Sequence, residues 1–469
     1  MEYSNNNNHK KIIIQTIKEC VEVILVAKHS DFIYQYEEKS SGQNSSSFLT
    51  SLKAKIANLK DIVKYNFVTF NTDFSCQPNQ RITIFGKHYD TNNQSQIESM
   101  YNKINSLLYF SYKKNFPFIQ NKKNGTFCSS DSGWGCMIRS CQMILSRAIY
   151  KLFKRPNNQY KKFESKEDII LETLYWFLEY PFSRESCPKS FRYYIEKAMK
   201  VHKQDNVNYI VKNISSVYPA FGIKAICSIG EIFDKTAGEW FSDVNLPKIF
   251  DIINEEFCAF PDVKIFSFIS TIKKYDIIEN CFTTNASKAL SKDDECLKYN
   301  DKIYYLSKCG IIFISTRLGL SEISDIYYPS IMKLFECRQC LGFVGGKNNS
   351  AHYFIGHDGK NNLLFLDPHY ALESISNNFQ KTNLENTFLT NKTPYQLDIS
   401  KLNCAFTAVF LFRTCKEFKN LEAWLKAYIK SPFPSFDFSE KLLSRSFVKQ
   451  TEFKGFIQVE QNSSNQDDF

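Results

Sequence analysis

Asp131-Ser-Gly-Trp-Gly-Cys136-Met-Ile-Arg139 places a cysteine where a turn hands over to a helix. Gly133 and Gly135 allow the backbone angles and close approach that a sharp turn needs. After Cys136 the apolar residues Met137, Cys141, Ile144, Leu145, Ala148 and Ile149 recur at helical spacing. Cys136 is therefore expected near a helix N-terminus, where free amides and the positive dipole end favour a thiolate. A thiolate there is a nucleophile, and the chain reads first as a cysteine-dependent enzyme. A buried structural cysteine, the commoner fate of this residue type, is the alternative.

A nucleophile needs a base, and the 469-residue chain has only 7 histidines. The best placed lies in Asn362-Leu-Leu-Phe-Leu-Asp367-Pro-His369-Tyr370. Residues 363–366 read as a buried strand that Pro368 stops. In extended backbone, residues two apart point the same way, so Asp367 and His369 share a face. The carboxylate can then fix the imidazole tautomer and stabilise imidazolium while the other ring nitrogen faces the thiol. His357 and Asp358 are adjacent and diverge, whereas His352, in Ser350-Ala-His-Tyr-Phe-Ile-Gly356, reads as a satisfied histidine of a core strand.

Five segments occur in order: Ser132-Gly-Trp-Gly-Cys-Met-Ile-Arg139, Gly238-Glu-Trp-Phe241, Thr316-Arg-Leu-Gly-Leu320, Gly345-Gly-Lys-Asn-Asn-Ser-Ala-His-Tyr-Phe-Ile-Gly356 and Leu366-Asp-Pro-His369. Together they resemble the autophagins, autophagy-related cysteine endopeptidases that process a ubiquitin-like modifier. The resemblance begins near Ile84-Phe-Gly-Lys-His-Tyr-Asp90 and runs to about Tyr428. It implies an α+β, papain-like cysteine protease fold with a small auxiliary subdomain. The implied substrate is the modifier's C-terminus, trimmed to expose a glycine and later released from phosphatidylethanolamine. The resemblance also implies that Tyr112 completes the oxyanion hole and that Trp240 covers the substrate's C-terminal residues. Lys347, Asn348, Asn349 and Ser350, with the paired Gly345 and Gly346, correspond to a lid over the empty cleft. Asn348 stands where the family commonly has proline, so a looser lid is expected. Ser140 stands where relatives often carry a redox-linked cysteine, with Cys141 beside it. Cys337-Arg-Gln-Cys340 is another possible redox pair, weighed against two ordinary cysteines of a chain that has 15.

Composition bounds the rest. The odd cysteine count, without small-domain spacing, argues against a disulfide framework and fits the reducing cytosol. No apolar run approaches the ~20 residues that span a membrane, and charges interrupt the N-terminal apolar residues too early for a signal peptide. A net charge of +10 is modest for 54.7 kDa, although a weak pull towards anionic lipid suits transient contact with autophagic membranes. No nucleic-acid motif is present, no zinc spacing accompanies Cys337 and Cys340, and the mechanism requires neither metal nor organic cofactor. A cytoplasmic monomer is expected.

Residues 1–80 read as an N-terminal extension, partly disordered but with helical spacing over 12–27. Residues 81–430 read as the catalytic domain, with insertions near 183–220 and 283–302, the second a polar loop. A buried helix is predicted over 167–179, further sheet strands over 311–316 and 406–412, and a closing helix over 418–428. Residues 431–469 read as a flexible tail, in which Phe456-Ile-Gln-Val459 has the aromatic-x-x-aliphatic form of a modifier-docking motif led by Phe456 and Val459. Two rival functions remain at this point: a non-catalytic modifier-binding adaptor, and a papain-like protease for another ubiquitin-like protein.

Overall fold

A computed structural model of the chain describes residues 72–155, 163, 165–183, 216–256, 259–291, 294–320, 322–347, 350–375, 388–389 and 393–440. The expectations for residues 12–27, for Asn348 and Asn349, and for Phe456 and Val459 lie outside the described residues. Thirteen strands matter here. They are β1 (Thr72–Asp73), β2 (Arg81–Ile84), β3 (Lys87–Asp90), β4 (Lys113–Gln120), β5 (Phe127–Ser130), β6 (Val263–Ile269) and β7 (Cys309–Arg317). After them come β8 (Cys340–Lys347), β9 (Ser350–His357), β10 (Asn362–Leu366), β11 (Leu372–Glu373), β12 (Tyr395–Asp398) and β13 (Ala405–Phe412). The helices are α1 (Gln94–Asn105), α2 (Cys136–Phe153), α3 (Lys166–Leu174), α4 (Ile223–Gly230), α5 (Asn245–Glu256), α6 (Lys274–Cys281), α7 (Tyr328–Leu334) and α8 (Cys415–Tyr428).

The main sheet runs β1-β12-β10-β9-β8-β13-β7-β6, with β2 added at the end of β9 and β3 beyond it, ten strands in all. Only β6 and β7 pair in parallel; the others are antiparallel. Ile311 and Phe313 face one apolar core while Ile312 and Ile314 face the other. Val409 and Leu411 likewise oppose Ala408 and Phe410. Such strands read as unbroken apolar runs because both faces are covered. The result is an α+β architecture in which α2 lies across β8 and β9 on one face, and α8 packs on β13 from the other.

The structure revises three local expectations. The helix expected over 167–179 ends at Leu174, and the chain turns to bring Glu179 inward. The polar stretch 283–302 is not all loop: strands at Phe282–Thr283, Leu297–Tyr299 and Lys302–Leu306 form a small sheet. Asn300 and Asp301 both take positive φ at its hairpin, as a primed two-residue turn requires. Gly345 and Gly346 lie within β8, paired with His352 and Ala351, and Lys347 pairs with Ser350. The paired glycines are therefore part of the ladder.

Candidate active site

The turn before α2 is held by a buried carboxylate. Asp131 Oδ1 accepts the Lys113 backbone amide at 2.6 Å, its Oδ2 accepts Arg139 Nε at 2.6 Å, and its carbonyl accepts the Gly135 amide at 2.8 Å. Arg139 Nη1 donates to Glu179 Oε1 at 2.7 Å, and Asp131, Arg139 and Glu179 have no exposed side-chain surface. The two glycines serve different ends. Gly133 takes φ +86°, a left-handed conformation. Gly135 has ordinary angles, but a Cβ there would stand 2.5 Å from Asp131 Oδ2. Because Asp131 is clamped from three sides, Gly135→Ala is expected to destabilise the fold by about 1–3 kcal/mol through overpacking. Urea unfolding beside an iodoacetamide rate measures this; an alanine variant as stable as wild type means that the turn can yield.

Cys136 opens α2, buried at 4 % exposure among Tyr112 and Ala351. Ser140 Oγ donates to the Ala351 carbonyl at 3.3 Å, tying the first turns of α2 to β9. Opposite them the segment after β10 turns towards β4. Tyr112 donates its amide to the Pro368 carbonyl and accepts the Leu372 amide, both at 2.9 Å, and β11 continues alongside β4. This pairing sets His369 between Cys136 and Asp367. His369 Nδ1 meets Asp367 Oδ1 at 2.5 Å, and the same oxygen accepts the His369 amide at 3.0 Å. The imidazole also lies close enough to the Cys136 thiol to act on its charge. The Tyr112 ring stands edge-on to the imidazole with centroids 5.3 Å apart.

These contacts set the charges. Burial alone would push the Cys136 thiol up, but the hydrogen bond and charge of His369, the Ala351 amide and the Tyr112 hydroxyl outweigh it and bring it below the usual range. Burial opposes charge on His369 too, yet Asp367 and Cys136 raise it to about 9. The pair is thus shifted towards thiolate and imidazolium. Asp367 would be raised by burial, but the two imidazoles around it hold it well below the usual carboxylate range. Tyr112, pushed up chiefly by burial, stays a hydroxyl donor.

Trp240 reaches the same place from the other side: its Nε1 donates to the Gly133 carbonyl at 2.8 Å while the residue stays 52 % exposed. Lys347 and Ser350 face each other across the β8–β9 hairpin beside Ala351. His352, read from sequence as a satisfied core histidine, is fully buried but neither ring nitrogen has a hydrogen-bond partner among the described residues, and its Nδ1 lies 3.6 Å from Asp367 Oδ1. That is too long for a hydrogen bond but close enough to act on the carboxylate's charge. Strand pairing brings His352 there, Tyr353 lying opposite Leu366 just before Asp367, and the sequence carries no sign of that register. Cys141, Cys337 and Cys340 are all buried with thiols pushed up by burial, the reverse of a redox-active environment. His352, Asp367 and His369 bring three donor atoms within 4.8 Å, but the short Asp367 bond to His369 already uses one of them as a catalytic dyad would.

The family described as the peptidase C54 catalytic domain matches residues 97–423. The cysteine protease ATG4D of Xenopus laevis is 27% identical over 412 residues, covering 83% of this chain and 81% of that protein. The cysteine protease ATG4B of Gallus gallus is 24% identical over 392 residues, 80% of this chain and 88% of that one. The human cysteine protease ATG4A is 24% identical over 340 residues, 71% and 74% respectively.

Proposed function

The chain belongs to the peptidase C54 family of autophagy cysteine proteases, and from that premise we propose that it cleaves a ubiquitin-like autophagy modifier after its C-terminal glycine and later frees the same glycine from phosphatidylethanolamine. Both reactions split an amide with the same acyl half; only the amine differs. The observation that carries the reading is the line of contacts from the Cys136 thiol through His369 to Asp367.

In this mechanism the Cys136 thiolate attacks the glycine carbonyl and His369 gives its proton to the leaving amine, so that a thioester forms and the amine departs neutral. His369 then takes a proton from water, which hydrolyses the thioester and restores the thiol pair. Asp367 holds the ring in the productive tautomer. The Tyr112 hydroxyl and the Cys136 amide at the start of α2 are the donors assigned to the oxyanion. No metal or organic cofactor enters these steps.

Trp240 is assigned the cover over the substrate's glycine end, since its indole is anchored on the turn beside Cys136 and half of it faces solvent. Trp240→Ala is expected to raise KM about tenfold or more while kcat changes little; a KM within twofold of wild type would remove Trp240 from the binding site. Lys347, Asn348, Asn349 and Ser350 are assigned the lid, and Phe456 with Val459 a strand-adding contact to the modifier. Residues 81–430 are proposed as the catalytic unit, which the matched span 97–423 supports. A reducing cytosolic setting accords with every described cysteine being free. No helix among the described residues is long and apolar enough to cross a membrane.

The deciding experiment uses the modifier with extra residues after its glycine, and the lipidated modifier on liposomes. Cleavage of both by wild type, with none by Cys136→Ser, is the expected result. Tight binding by wild type without cleavage would make the protein an adaptor; cleavage of ubiquitin fusions instead would change the substrate class.

A further inference from the structure

At the far end of α2 from Cys136, fifteen residues or about 22 Å along the helix axis at ~1.5 Å per residue, lies a cavity of about 240 Å³. Lys151, Arg338 and Arg413 enter it, with Gln339, Asn420 and, among the described residues, a single carboxylate, Glu417. That carboxylate is already spoken for. Glu417 Oε2 accepts the Arg413 amide at 2.8 Å and Arg413 Nε at 3.1 Å, and its Oε1 pairs with Arg413 Nη2. Arg413 Nη1 turns to the Lys151 carbonyl at 3.1 Å. Among the described residues, neither Lys151 nor Arg338 forms an ion pair.

The surroundings add positive charge. Arg147, one turn before Lys151, stacks its guanidinium over the Phe85 ring, 3.2 Å from the centroid, and its buried Nε has no hydrogen-bond partner. Burial lowers the Lys151 amine to about 7, and Arg147, Arg413 and Lys103 push it the same way against Glu417 alone. Lys103 on α1 is lowered in turn to about 8 by burial and by Arg147, Lys154, Lys166 and Lys87. A cluster of this kind is costly when empty of anions, and an oxyanion set between Lys151 and Arg338 would offset that cost. A planar guanidinium and an ammonium beside amide donors are the groups that recognise a phosphate with free oxygens.

We propose that this pocket, formed by the end of α2, the 337–340 turn and the first turn of α8, binds a phosphate monoester. The half-buried Lys151 and the exposed Arg338 make its floor and its mouth, so the ligand is either a small soluble phosphate or a lipid headgroup presented at a membrane surface. Both present the same chemistry, and neither involves the residues around Cys136.

Calorimetric titration of the full chain with inorganic phosphate, at ionic strength held constant with sodium chloride, tests the site. Saturable binding by wild type, weakened at least tenfold in the Lys151→Gln/Arg338→Gln double variant, is expected. Unchanged peptidase activity of that variant shows that it is folded. Flotation with phosphatidylcholine vesicles distinguishes the sources. Recovery on vesicles containing phosphatidic acid, but not on those containing phosphatidylserine, assigns the lipid; phosphate binding without flotation assigns the soluble ligand. Absence of saturable binding, or binding that the double variant retains in full, overturns the proposal.

Discussion

His369→Ala is expected to lower cleavage at neutral pH by at least about 10³-fold, the scale of a lost general acid–base, and to change how Cys136 reacts with iodoacetamide. The second readout separates the two tasks assigned to the imidazole. In the wild-type protein the hydrogen bond and charge of His369 are the first of the influences that overcome burial and lower the Cys136 thiol. Without them burial remains, and the thiol shifts above the ordinary cysteine range. Alkylation of wild type should therefore be fast well below the pH at which ordinary thiols react, and alkylation of the variant should require alkaline pH. Cleavage by wild type should be bell-shaped. It rises as the thiol pair loses its first proton and falls as pH passes about 9, where His369 gives up the proton needed by the leaving amine. Alkylation needs no such proton and should stay high beyond that point. The two apparent pKa values belong to the coupled pair rather than to either residue. An alanine variant alkylated at the wild-type rate at neutral pH would mean that the helix start and the Ala351 amide activate Cys136 without His369.

The sequence was legible where local chemistry carries the feature and opaque where the partner is distant. A cysteine after two glycines and before a helical apolar pattern announced a helix starting near Cys136, and α2 begins there. Asp367 and His369 announced themselves by a two-residue spacing, and the structure joins them, although just past the end of β10, where Asp367 Oδ1 takes both the His369 amide and its ring nitrogen. Strands β7 and β13 were readable because both faces are apolar. Tyr112 is one of 26 tyrosines, and only the family resemblance singled it out. The sheet in 282–306 escaped because its strands are only two to five residues long and flank a polar stretch, although Asn300-Asp301 marks its turn. The paired glycines suggested a loop because glycine so often does. Here Gly346 stays small because a Cβ would come 2.6 Å from the Asn403 side chain. Hardest of all was the Asp131, Arg139 and Glu179 cluster, since charged residues read as surface and Glu179 lies 40 positions from Arg139.

That cluster makes Arg139 the second position where a large effect is expected. Arg139→Met keeps length and apolar stem but leaves Asp131 and Glu179 as two buried carboxylates without their shared cation. Breaking a buried pair in this way costs roughly 3–5 kcal/mol. Lysine is no substitute, because one ammonium cannot place separate donors on Asp131 and Glu179 as Nε and Nη1 do. Lys113 offers limited relief: its buried amine sits 4.5 Å over the Phe388 ring and is lowered to about 8, chiefly by burial. The loss should depend on pH with a definite sign. In the variant Asp131, which burial already raises against the pull of Arg139, loses that opposition and rises further, so the folded state binds more protons than the unfolded one and this contribution to stability falls as pH rises. The deficit relative to wild type is expected to be smaller near pH 5 than near pH 8. Activity should fall further than the folded fraction, because Asp131 also carries the Lys113 amide at 2.6 Å and so fixes Tyr112 against the start of α2. Urea unfolding at the two pH values, with kcat measured on the folded variant, tests both halves. A deficit that is independent of pH would mean that water or Lys113 has replaced the guanidinium, and a wild-type kcat in the folded variant would mean that the turn before Cys136 holds its shape without the cluster.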